Sequence, residues 1–199
     1  MCFLLEKWSF LLSRTNARFI HGILQTLPGM GRCGSIMSME EKDGKKTMWK
    51  HGRSAVIFTG LQASGKSAFY AEFFSGTHVR ISLDELHTRG KEKRLLDECI
   101  AEGEPFVVDN TNPKREDRVR YIIPAKQAGY SVIGIYFDCP VKDCLKRNAV
   151  REGKARVPDV AIAATAAKLK RPDASEGFDE IYVVSIEDGE FIITKKEKP

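Results

Sequence analysis

Gly60-Leu-Gln-Ala-Ser-Gly65-Lys66-Ser67 places glycine, lysine and hydroxyl side chains at the G-x-x-x-x-G-K-[ST] spacing of a phosphate-wrapping loop. The residue types follow from the chemistry. A loop that encloses phosphates turns successive backbone N–H groups inward, so glycine is needed where a Cβ would block the approach. The helix that follows adds the partial positive charge of its N-terminus. On this reading Gly60, Ala63, Ser64, Gly65, Lys66 and Ser67 bind the phosphates. Lys66 reaches the β- and γ-phosphates and Ser67 ligates Mg²⁺, which makes ATP with Mg²⁺ the expected ligand.

A phosphate cradle does not define a reaction. Phosphoryl transfer also needs a carboxylate to organise the metal and, for a hydroxyl acceptor, a group that takes the proton. Two aspartates follow apolar runs. Asp84 comes after Val79–Ser82, and Asp109 after Phe106–Val108, a Walker B pattern. In an open α/β sheet both stand at the carboxyl edge where ligands bind. Asp84 is the candidate general base and Asp109 the candidate for holding Mg²⁺ or its water, and the two roles are exchangeable. The plain alternatives are a helix cap at Asp84, opening residues 85–89, and a turn residue at Asp109 paired to Asn110 or Asn112. Arg147 and Arg151 are spaced to share one helical face and run into a basic, glycine-containing segment up to Pro158. Such a segment can close over ATP as a lid and set an arginine against charge on the transferred phosphoryl group. The alternative is a solvated helix face.

The elements that must hold these groups are legible as apolar runs. Ala55–Thr59 reads as a buried strand ending in Gly60, followed by a helix from Lys66 to Phe74. Val79–Ser82, Phe106–Val108 and Ser131–Phe137 read as further strands. Lys91–Glu102 reads as a helix closed by Gly103. Asn112-Pro113 predicts a helix N-cap and first turn, with the helix reaching about Ala128 and kinked at Pro124. Pro140 and Pro158 open two more helices. Ile181–Ser185 and Phe191–Thr194, joined by Glu-Asp-Gly-Glu, predict a terminal hairpin. Strands alternating with helices predict an α/β fold with a mainly parallel sheet covered on both faces.

The chain of 199 residues suits one such domain. No apolar run approaches the ~20 residues that span a bilayer, so no membrane partner is expected. The net charge is +5, of which residues 1–39 hold +3, from Lys7, Arg14, Arg18 and Arg32 against Glu6. That extension reads as sequence ahead of an internal start at Met37 or Met39, or as a mitochondrial-type presequence. Residues 1–53 are therefore expected to be a poorly ordered extension and linker, and 54–199 the folded P-loop domain. The compartment follows from the same choice: cytoplasmic, or mitochondrial if the extension is a presequence. The five cysteines, Cys2, Cys33, Cys99, Cys139 and Cys144, lack metal-ligand spacing with the histidines and read as reduced thiols.

With these residues in place, the chain resembles the kinase domain of the polynucleotide 5′-hydroxyl kinase group, among the AAA- and zeta-toxin-like P-loop kinases, from about Ala55 to Ile181. The resemblance rests on the P-loop, Asp84, Val108-Asp-Asn-Thr-Asn-Pro113, Arg147-Asn148 with Arg151, Val157-Pro158 and Glu176-Gly-Phe178. It implies a three-layer αβα P-loop kinase sandwich that moves the γ-phosphate of ATP to a hydroxyl. Asp84 matches the general base, and Arg151 the lid arginine on the β- and γ-phosphates; Lys66, Asp84 and Arg151 become the catalytic set. Two positions depart from the group. Ser82-Leu83 stand where Asn-Arg is usual, and His87 where some members carry an arginine for the acceptor phosphate. Both fall on the acceptor side, which leaves a nucleic-acid 5′ end and a small metabolite, nucleoside or sugar as the acceptor readings. The alternatives from other classes are an ATPase or nucleotide switch without acceptor, and a binding module without catalysis. The oligomeric state is not legible.

Overall fold

A computed structural model of the chain describes residues 40–42, 45–47 and 52–197. The extension over 1–39 lies outside them. Residues Met39–Pro199 make one compact unit. Within the stretch read as linker, β1 (Glu40–Lys42) and β2 (Lys45–Thr47) pair antiparallel.

The main sheet has six strands in the order β4-β5-β3-β6-β7-β8. These are β3 (Ser54–Thr59), β4 (Val79–Ile81), β5 (Phe106–Val108), β6 (Ser131–Phe137), β7 (Glu180–Glu187) and β8 (Glu190–Lys195). All neighbours are parallel except β7 and β8. That last pair is the expected hairpin, closed by Asp188-Gly189 with φ of 49° and 87°, a two-residue turn whose twist suits the strands. The helices are α1 (Lys66–Phe73), α2 (Leu83–Leu86), α3 (Arg89–Glu102), α4 (Arg115–Gln127), α5 (Val141–Ala149) and α6 (Asp159–Lys168). Among the described residues, no helix is long and apolar enough to cross a membrane.

The apolar runs are buried on both faces, as parallel strands require. On β3, Ala55 and Ile57 face one core with Leu96 and Cys99 of α3 and Tyr121, Ile122 and Ala125 of α4. Val56 and Phe58 face the other, with Phe69 and Phe73 of α1 and Phe137 of β6. Helix, sheet and helix thus form the three αβα layers. Phe69 sits among rings at 4.5–6.1 Å, including Phe191 from β8 at 5.0 Å.

One local expectation gives way. Asn112 is not a helix cap, and α4 begins three residues later with Lys114 as its N-cap. Asn112 instead takes φ 41° and donates from Nδ2 to the carbonyl of Phe58 at 2.8 Å. Its side chain ties the loop to β3, and the Asp117 carboxylate accepts from Lys114 N at the true helix start. Pro124 lies inside α4, which continues through it to Gln127.

Candidate functional site

The strand order brings three carboxyl ends together. β3 leads into the P-loop, its neighbour β5 is followed directly by Asp109, and β4, beside β5, leads into α2 with Asp84. Loop and strand ends are tied directly: Gly60 N donates to Thr111 O at 3.0 Å, and Asp109 N to Ile81 O at 2.9 Å.

The P-loop is shaped by its glycines. A Cβ on Gly60 would lie 2.8 Å from Phe137 Cβ and 3.1 Å from Ser64 Oγ. Gly65 adopts φ 101°, which side-chain-bearing residues rarely do. Ala63 takes φ 59° without being glycine. Lys66 is buried, and its ammonium donates to Leu61 O, to Gly60 O at 3.2 Å and to Ser64 Oγ at 3.4 Å. Burial holds its pKa down to about 8. Asp109, Cys144 and Asp84 pull it up, while Arg151 pushes it down. The two candidate carboxylates and Arg151 therefore all lie within electrostatic reach of one ammonium.

Asp109 is neither a free turn residue nor paired to Asn110 or Asn112. Its Oδ2 accepts from Ser67 Oγ at 3.0 Å and from Arg80 Nε at 3.0 Å. Arg80 also reaches Glu85 and lies over the Tyr70 ring at 5.2 Å. Asp84 is not the cap of α2. Ser82 holds that position, and Asp84 stands in the first turn, exposed, with no hydrogen-bond or ion-pair partner among the described residues.

The placement of α2 is decided elsewhere. Leu83 N, in its first turn, donates to Asn110 Oδ1 at 2.9 Å. Asn110 Nδ2 donates to Glu92 Oε1 at 2.7 Å, and that buried carboxylate also accepts from Tyr121 Oη at 2.9 Å and from Arg89 at 2.8 Å. One carboxylate of α3 therefore ties α4 and the loop after β5 together, and through Asn110 that loop holds the helix that carries Asp84. Burial and Glu92 together push the Tyr121 hydroxyl up to about 12, which keeps it a donor.

On the far side, Arg147 on α5 donates to Ala63 O at 3.5 Å, so it does more than face solvent. Arg151 does not share its helical face, because α5 ends at Ala149. The physical cause is Asn148. Fully buried, it accepts from Val157 N at 3.0 Å and donates to Val157 O at 2.6 Å and Asp159 Oδ1 at 3.0 Å. It closes residues 149–156 into a loop that carries Arg151. Gln62 Nε2 joins the P-loop to α6 through Thr165 Oγ1 at 3.0 Å. Arg118 is buried in a bidentate pair with Glu176 at 2.6 and 2.7 Å, and donates to Asn112 O at 3.1 Å.

Sequence reasoning missed Arg80, Glu92, Asn110, Arg118 and Asn148 as parts of the site. The only sequence signal for them is their place inside or beside the quoted motifs.

The residues fit a nucleotide with Mg²⁺. The glycines leave room a Cβ would fill. Among the described residues the buried ammonium has only loop oxygens as hydrogen-bond partners, and Ser67 and Asp109 offer two hard oxygen donors of the kind Mg²⁺ takes.

Comparison with known proteins agrees with this architecture. Residues 88–172 match a family model described as an AAA domain. The bifunctional polynucleotide phosphatase/kinase of Schizosaccharomyces pombe is 24% identical over 133 residues, covering 65% of this chain and 33% of that protein. A protein of Acanthamoeba polyphaga mimivirus named for the same two activities is 27% identical over 140 residues, covering 67% and 33%. The chain thus spans about a third of the length of the curated relatives it matches. Among solved structures, a chain of the Pnkp1/Rnl/Hen1 RNA repair complex superposes with TM-score 0.51 at 22% identity, covering 61% of this chain and 45% of that one. A sugar kinase from Janibacter sp. HTCC2649 superposes with TM-score 0.50 at 18% identity, covering 66% and 84%. The fold is that of the P-loop kinases. Within that class the chain is similar in sequence to part of the curated bifunctional polynucleotide phosphatase/kinases.

Proposed function

We propose that the protein is an ATP-dependent kinase that transfers the γ-phosphate of Mg-ATP to a hydroxyl, and that the acceptor is a polynucleotide 5′-hydroxyl. The observation that carries the transfer is Asp84: an exposed carboxylate without a hydrogen-bond or ion-pair partner among the described residues, near enough for its charge to act on the P-loop lysine. In the reaction the acceptor oxygen bonds to the γ-phosphorus as the bond to the β–γ bridging oxygen breaks. The acceptor proton passes to Asp84, and ADP leaves. Lys66 and Arg151 balance charge on the transferred group, and the P-loop N–H groups with Arg147 hold the phosphates. Mg²⁺ would be held by Ser67 with Asp109, and would supply positive charge against the phosphates.

The polynucleotide acceptor is supported by the names of the curated relatives and by exposed cations beside Asp84. Arg89, Lys91, Lys93 and Arg94 reach solvent in the first turns of α3, Arg89 and Lys93 while paired to Glu92 and Asp97, and such cations draw phosphates electrostatically. A small-molecule acceptor is the second reading, favoured by Leu83 and His87 in place of the group's usual residues.

The test is transfer of labelled γ-phosphate from Mg-ATP to 5′-hydroxyl DNA and RNA oligonucleotides, with Lys66→Ala as the blank. Label that disappears in the blank supports the proposal. ATP binding without labelled oligonucleotide moves the acceptor to nucleosides, sugars and other metabolites. Asp84→Asn is expected to keep ATP affinity and lose turnover by about a hundredfold or more; full turnover would remove Asp84 as the base.

A further inference from the structure

β6 ends at Phe137, and a short turn carries the chain into α5. Cys139 lies in that turn, half-buried, and Cys144 lies buried in α5. Their sulfurs are 2.9 Å apart, with the Cys144 thiol donating to Cys139 Sγ. Arg147 sits one turn further along α5. The same guanidinium nitrogen donates to Cys139 Sγ at 3.4 Å and to Ala63 O of the P-loop at 3.5 Å. One cation therefore spans a sulfur pair and the phosphate cradle. The Cys144 hydrogen bond, and then Arg147, hold the Cys139 thiol down at about 7 against the effect of burial. Cys144 is pushed up by donating to Cys139 and by its own burial. This is the division of labour of an attacking thiolate and a resolving thiol. Cys99 lies in the core beneath α3, raised to about 11 mainly by burial, and is the inert comparison.

We propose that Cys139 and Cys144 form a reversible thiol–disulfide site, and that its state sets how Arg147 is shared between the Cys139 sulfur and the P-loop. The oxidant is a hydroperoxide. The Cys139 thiolate attacks its terminal oxygen and the O–O bond breaks. Cys139 becomes a sulfenic acid and the remaining oxygen leaves as hydroxide or alkoxide. Cys144 sulfur then attacks Cys139 sulfur, the S–S bond forms, and the sulfenic hydroxyl leaves with the Cys144 proton as water. A dithiol reductant reverses the bond by exchange. Oxidation removes the thiolate charge beside Arg147 and leaves the guanidinium to the loop and to phosphates held there.

The experiment uses the full chain. Reduced protein is exposed to hydrogen peroxide, the remaining free thiols are blocked with N-ethylmaleimide in denaturant so that buried thiols react too, and cysteine peptides are mapped. ATP affinity is measured by calorimetry before oxidation, after it, and after dithiothreitol. A Cys139–Cys144 cross-link is expected, reversible by dithiothreitol, with Cys99 still alkylated. ATP should bind roughly twofold to fivefold more tightly to the oxidised form, the effect of one partly exposed charge pair. Cys144→Ala should give no cross-link. Cys139→Ser should show the tightening without oxidant, because it removes the same charge. The proposal is overturned if both thiols remain alkylatable after peroxide, if Cys139 pairs with Cys2 or Cys33 instead, or if the cross-link forms and ATP affinity stays constant. The proposal rests on the nucleotide reading of the P-loop only for its second half. Failure of the reduced protein to bind ATP would refute that reading before any oxidant is added, so the two failures are distinguishable.

Discussion

Asn110→Ala tests whether the candidate base is placed by the buried network below it. The substitution takes the acceptor from Leu83 N, 2.9 Å away, and one donor from the Glu92 carboxylate, 2.7 Å away. A neutral hydrogen bond is worth about 1 kcal/mol net, and one to a charged group about 1.5–3 kcal/mol. Tyr121 and Arg89 still satisfy Glu92, and Asn110 is only part-buried, so the expected loss is about 2–3 kcal/mol out of ~5–15 kcal/mol for a domain. Urea unfolding followed by far-ultraviolet circular dichroism measures it. The catalytic consequence is larger in proportion. α2 is a single turn with no side-chain cap from Ser82, and a displacement of the base by about 1 Å costs up to ~100-fold in turnover. The KM for ATP should stay within about twofold, because the P-loop is tied to Thr111 and Asn112 rather than Asn110. Lost stability with unchanged kcat would refute the positioning argument and leave Asn110 a packing residue. Unchanged stability and kcat would refute the network altogether.

ATP affinity should weaken as pH rises above about 8. Lys66 is driven to that pKa by burial in the nucleotide-free protein, and bound phosphates favour its charged form, so binding above pH 8 requires proton uptake. Calorimetry in buffers of different ionisation heat measures the uptake, and Lys66→Arg should abolish it. The same shift makes the nucleotide-free protein gain stability between about pH 8 and 10.5, since the unfolded lysine still binds a proton that the folded one releases. Arg118→Leu should cost about 3–5 kcal/mol in urea unfolding, because it strands the buried Glu176 carboxylate. The added change Glu176→Leu should restore much of that loss, and failure to do so would show that Arg118 acts through its bonds to Asn112 O and Lys170 O instead.

The strands and most helices were readable because their causes are local. Ala55 to Thr59 is an apolar run wherever it is put, and Gly103 ends α3 through its own backbone. The errors share a different cause. Asn112-Pro113 has the look of a helix opening, but the Asn112 amide is claimed by Phe58 O, 54 residues away in sequence. Arg147 and Arg151 have helical spacing, but Asn148 folds the intervening chain back onto Val157. The P-loop could be recognised from one eight-residue string. The pairing of Asp109 with Arg80 joins residues 29 apart, and that of Glu92 with Asn110 joins residues 18 apart. Such pairs exist only once the order β4-β5-β3 is set, and neither periodicity nor propensity encodes that order.

The C-terminal hairpin has a consequence for assembly. A Cβ on Gly65 would lie 2.9 Å from Ile186 and 3.2 Å from Phe191, so β7 and β8 press directly against the P-loop. During synthesis residues 60–67 emerge more than a hundred positions before the side chains that brace them. The cradle is therefore a late product of folding, although its sequence appears early. A nascent chain that has made β3 through β6 can form the centre of the sheet, but its P-loop lacks the brace until Ile186 and Phe191 have left the ribosome. Nucleotide then becomes a ligand that reports completion of the domain.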